Sequence, residues 1–97
     1  MSTEQRNKAH NDISRADRVR QVLEDPYYKE GMAILKAELY VEFGRIKWDD
    51  KDKADKLDDL HKQFQAVEKF ESRLENSIIS GKLAQQTLTM LDQHKKL

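Results

Sequence analysis

One proline and three glycines are all the backbone punctuation in this 97-residue chain, and that scarcity constrains its fold more than any motif does. Hairpins of strands draw on glycine, proline and pairs such as Asn-Gly or Asp-Gly. No such pair stands here between alternating runs. The rest of the chain is rich in Ala, Leu, Glu, Lys, Gln and Arg, which lose little freedom on a helix. An all-α fold is the expectation.

The apolar spacing divides the chain. Residues 1–12 are polar and aperiodic, which predicts a flexible N-terminal arm, with residues 13–97 forming a single helical domain. From Ile13, the positions Ile13, Ala16, Val19 and Leu23 recur at intervals of three and four and predict a short amphipathic helix ending near Glu24. Asp25-Pro26 then marks a boundary. Proline disfavours the α conformation in the residue before it, yet its fixed φ suits the first helical position, with Asp25 as N-cap. In the second helix Tyr28, Met32, Leu35, Leu39, Phe43 and Ile46 form one stripe flanked by Ile34 and Val41, and the stripe runs out at Trp48.

The stretch GRIKWDDKDKADKL, Gly44 to Leu57, sets the only tryptophan beside dense alternating charge. Asp49, Asp50 and Asp52 suit the start of a helix, where carboxylates cap free amides and meet the positive end of the dipole. The stretch therefore predicts a corner, with Trp48 stapling it. Beyond Ala54 the pattern becomes a heptad. Leu57, Phe64, Glu71 and Ile78 hold one core position and Leu60, Val67 and Leu74 the other, widened by Phe70 and Ile79. Glu71 has two readings: a seam carboxylate with a cationic partner, or a splayed seam in which Phe70 covers the core and Glu71 meets water. Ser80-Gly81 predicts a helix stop, followed by a last helix from Lys82 to about Lys95 carrying Leu83, Thr87, Leu88, Met90 and Leu91; the alternative is a third helix that runs straight through Gly81 at a cost of about 1 kcal/mol.

The composition bounds what such helices can do alone. The chain is 37% charged and 37% apolar, with a mean hydropathy of -0.94, and chains of this length bury only about 60 to 65% of their unfolded surface. The interior is expected to be thin, so burial is shared with a partner. Basic and acidic residues balance at 18 each, so no global field draws the protein to nucleic acid or an anionic membrane. Cysteine is absent, which removes disulfides and thiolate metal sites and fits a reducing compartment. No run nears the roughly 20 apolar residues of a membrane span, and the first residues lack the apolar core of a secretion signal.

No chemistry-bearing constellation emerges. A calcium loop begun at Asp50 would place Asp55 where glycine is required and His61 where glutamate is required. His10, His61 and His94 are far apart in sequence, and the neighbours Asp58 and Asp59 point about 100° apart on a helix. Glycine-rich phosphate loops, HExxH and nucleophile elbows are missing. The expectation is a protein that is not an enzyme, with no catalytic residues, no metal and no cofactor. Arg15, Arg18 and Arg20 with Lys29 raise DNA contact, but Asp17 and Glu24 dilute that face.

The order of features carries one resemblance. RADRVRQVLEDPYYKEGMAILKAELYVEF, then a tryptophan and an acidic turn, then KLDDLHKQFQAVEKFESRLENSIISGKLAQQTL, resembles small α-helical proteins encoded by tailed bacteriophages near head and packaging genes. The likeness covers about Ser14 to Leu88, and LENSIISGKLAQ is its most specific piece. It implies a phage setting, in the host cell cytoplasm or the virion, and transfers no site residue.

The expected architecture is an antiparallel long-helix hairpin, Pro26 to about Ile46 and about Asp50 to Ser80, with short terminal helices and an oligomeric state. Its second faces need covering. Ile34, Val41, Trp48, Phe70, Glu71, Ile79, Leu88 and Leu91 are the candidate interaction residues. The expected partners are the chain itself and another phage or host protein, with neither nucleic acid nor membrane. The function read from this is a minor structural or assembly factor acting by protein-protein interaction. The alternative is a small phage regulator that binds DNA or inhibits a host protein.

Overall fold

The computed structural model describes residues 2–95, which form three helices, α1 (Thr3–Glu24), α2 (Pro26–Arg45) and α3 (Lys53–Lys95), and no strand occurs among them. Met1, expected in the arm, and Lys96 and Leu97, expected at the end of the helical domain, lie outside the described residues.

Helix α1 begins ten residues before the predicted start. Ser2 and Gln5 form a capping box: the Gln5 amide donates to Ser2 Oγ at 3.2 Å, and the Ser2 amide donates to Gln5 Oε1 at 3.1 Å. Two free amides are satisfied reciprocally, which offsets the cost of nucleating a helix in polar sequence. Ala9, one turn before Ile13, extends the buried stripe. The residues read as a flexible arm are therefore the first half of α1 from Thr3 on.

The boundary at Asp25-Pro26 is as expected. Asp25 is extended (φ -66°, ψ 125°), and its carboxylate accepts from the amides of Tyr27 at 2.8 Å and Tyr28 at 3.1 Å. At the far end Ile46 leaves the helix in an extended conformation, and its amide donates to the Phe43 carbonyl at 3.2 Å.

Between α2 and α3 Asp50 closes the corner. Its carboxylate accepts from the Lys47 amide at 2.8 Å and lies 3.4 Å from Lys56 Nζ. The hydrogen bond donated by the Lys47 backbone amide is the main reason its pKa is lowered from 3.8, with the Lys56 charge adding to it. Trp48 does not staple this corner. It is 88% exposed, and its ring is capped by Lys53, whose Nζ lies 3.7 Å from the ring centroid. A group with a depressed folded pKa contributes stability that is present above its unfolded value and lost as pH falls through the folded one. The corner should therefore hold above pH 3.8 and loosen below it. The fluorescence of Trp48, the only tryptophan, should report this, and Asp50→Asn should show the acid-form signal at neutral pH. An unchanged neutral spectrum in that variant would remove Asp50 from this role.

Helix α3 runs 43 residues without a break, straight through Gly81, where a stop was predicted. Gly81 has no positive φ. Its role is close approach: a Cβ built there would collide with the Cβ of Ala16 and sit 3.2 Å from the Asp12 carbonyl oxygen. The contacts cluster into two compact units where a single domain was expected. One joins α1 to the part of α3 from Ser72 on. There Ala9, Ala84 and Leu88 form the buried cluster with Ile13 against it, and Ala16 and Gly81 are also buried. The other spans Asp25–Glu71, in which Leu39 and Leu60 are buried and Tyr28, Met32, Leu57, Phe64 and Val67 half-buried. Phe43, expected in the stripe, is 56% exposed. The predicted heptad positions from Leu57 to Ile78 are all buried or half-buried, and the stripe continues through Gly81, Ala84 and Leu88.

Candidate interaction surfaces

In the Asp25–Glu71 unit, α2 buries one side and leaves the other bare. Ile34 is 51% and Val41 53% exposed, and with Ala37, Glu38, Glu42 and Arg45 they border a shallow apolar surface on α2 itself. The helix is apolar on both sides because Leu39 and Met32 recur on one stripe and Ile34 and Val41 on another, half a turn away. Only one stripe meets α3.

Glu71 has the cationic partner that one of its two readings required. Lys36 Nζ lies 3.0 Å from one carboxylate oxygen and 3.1 Å from the other, a two-point contact that holds α2 against α3 at this level. Both side chains keep access to water, 45% for Lys36 and 36% for Glu71, so the pair contributes modestly and mainly sets register. One turn along, the Tyr40 and Phe64 rings meet at 5.5 Å and 59°, a tilted arrangement favoured by their quadrupoles. Phe70 is exposed in this unit.

In the α1 unit the predicted residues divide. Leu88 is buried in the cluster with Ala9 and Ala84, so it serves the core and is closed to a partner. Ile79 is exposed, and Leu91 is half-buried on the wall of an open groove of about 790 Å³ between α1 and α3. Leu83, 58% exposed, and Met90, 69% exposed, line the same groove beside Lys8, Asp12 and Thr87. Sequence reasoning placed Leu83 and Met90 on a separate last helix. The continuous α3 instead sets them beside α1, a pairing that no spacing within either segment announces.

Charged side chains add little chemistry to these surfaces. Arg15 pairs with Asp12 at 3.6 Å and Arg20 with Asp17 at 2.8 Å, each across one helical turn, so two of the arginines weighed for DNA contact already face carboxylates. Lys62 is raised in pKa by its hydrogen bond and charge pairing with Asp58, on a fully solvated face. Among the described residues no group of three or more His, Asp or Glu side chains could hold a metal ion, and no helix is long and apolar enough to cross a membrane. Comparisons with protein families, curated proteins and solved structures find no match for this chain.

Proposed function

We propose that the chain is a non-enzymatic helical protein that works by protein-protein interaction and self-associates through apolar helix faces. The observation that carries this is the distribution of apolar side chains. Among the described residues six make the buried apolar core, three of them alanine, while Ile34, Val41, Phe70, Ile79 and Leu83 are all about half exposed.

The setting implied by the resemblance makes it a phage-encoded minor structural or assembly factor, acting in the host cytoplasm and carried into the virion if it is an assembled component. Solution mass by light scattering across protein concentration and salt tests the self-association. An oligomer that persists at high salt is expected, because apolar burial is not screened. A well-folded monomer at every concentration would overturn the reading and leave an inhibitor of a host protein as the better account.

A further inference from the structure

The apolar and glycine positions on the bare face of α2 read the same in both directions, and its end charges are opposite. Counting outward from the bond between Ala37 and Glu38, Ile34 is mirrored by Val41, Gly31 by Gly44, and acidic Glu30 by basic Arg45. At 100° per residue the mates fall at mirrored angles about one line along the helix. We propose that this face is the contact of a homodimer in which α2 of a second copy packs antiparallel, with the two-fold axis passing beside the Ala37–Glu38 bond. The proposal rests on the self-association reading and names the surface that performs it.

The charges choose the second copy and its direction. A two-fold antiparallel pairing sets Ile34 against Val41 and Glu30 against Arg45, each twice, as an isologous contact requires. A parallel pairing would instead set Glu30 against Glu30 and Arg45 against Arg45, which repel. Within one helix these two residues lie about 22 Å apart along the axis and cannot meet. Among the described residues neither has an ion-pair partner.

The glycines agree. Glycine inside a helix weakens it, and at Gly81 the compensation is visible in the contact with Ala16. At Gly31 and Gly44 a Cβ would meet nothing within 4 Å in this chain. In the antiparallel dimer Gly31 lies beside Glu30 and leaves room for the stem of Arg45 from the second copy, and Gly44, beside Arg45, leaves room for the stem of Glu30 from the second copy. One element opposes the pairing: the two Glu38 carboxylates fall on the same flank near the axis, where solvent and salt screen them.

Sedimentation equilibrium on the full chain and three variants tests the proposal, with helicity by circular dichroism as the control for folding. Glu30→Arg and Arg45→Glu should each raise the dimer dissociation constant by on the order of tenfold, since each variant creates two like-charge pairs. The double variant Glu30→Arg/Arg45→Glu should restore it. The chain has no cysteine of its own, so mixing Glu30→Cys chains with Arg45→Cys chains should give a cross-linked heterodimer, while neither cross-links with itself. A dimer indifferent to the single reversals, one not restored by the double variant, or self-cross-linking of Glu30→Cys would overturn this face or its direction and leave self-association standing. A monomeric wild-type chain would overturn both.

Discussion

Replacing Gly81 with leucine should unfold or nearly unfold the α1 unit, and even alanine there should lower stability. The sign of the alanine variant is the informative part. If Gly81 were merely a solvated position in a long helix, alanine would stabilise by about 1 kcal/mol through helix propensity. In the structure its Cβ would meet the Cβ of Ala16 and the backbone oxygen of Asp12, neither of which is the far end of a flexible side chain. The helices must part, and overpacking of this kind costs about 1 to 3 kcal/mol. For a protein of this size each kcal/mol moves Tm by roughly 4 to 8 °C, so Gly81→Ala should melt several degrees lower and Gly81→Leu lower again. Adding Ala16→Gly to Gly81→Ala should recover part of the loss. A Gly81→Ala chain that melts higher than wild type would show that α1 does not approach α3 at this point.

Leu39→Ala and Leu60→Ala should be nearly as severe. These are the two buried leucines of the Asp25–Glu71 unit, at 3% and 5% exposure. Removing three carbons from such a site costs about 2 to 4 kcal/mol, as lost transfer energy plus the cavity left behind. That is a large share of the total for a small domain. Leu83→Ala is the contrast: its side chain is 58% exposed, so its effect on monomer stability should stay within about 0.5 kcal/mol. Urea unfolding followed by circular dichroism would rank the three. Equal effects would mean that burial in this unit is not where the structure puts it.

Much of the local structure was legible because it depends on neighbours in sequence. Asp25-Pro26 specifies a cap and a first turn within four residues, and the structure has both. The alternation from Leu57 to Ile78 specifies one face of α3, and that face is inward. Two readings went astray for different reasons. The start of α1 leaves no mark in the apolar spacing because Ser2 and Gln5 are polar; its only local sign is the capping-box spacing of those two residues. Gly81 was read as a stop because glycine most often supplies the left-handed conformation after a helix. Its other use, letting two helices touch, depends on Ala16, sixty-five positions away.

The candidate surfaces divide in the same way. Ile34 and Val41 were identifiable as a second stripe because a helix with two apolar faces can bury only one against a single neighbour. Leu88 was misjudged as available because its periodicity is the same whether α1 or a partner covers it. Glu71 is ambiguous in sequence because nothing in the spacing of either helix selects Lys36, which lies 3.0 Å from it in the fold.

The sequence by itself determined that this chain is helical, where its second helix begins, which residues line the seam of its longest helix, and that apolar surface exceeds what one seam can bury. Those properties follow from dihedral preferences and from the 3.6-residue period, which act over a few residues. Only the tertiary structure decided that α3 passes unbroken through Gly81, that Ala9 and Leu88 are core, and that Lys36 holds Glu71. Each of these is set by distances between segments remote in sequence, where the energy of packing outweighs the local preference of any single residue.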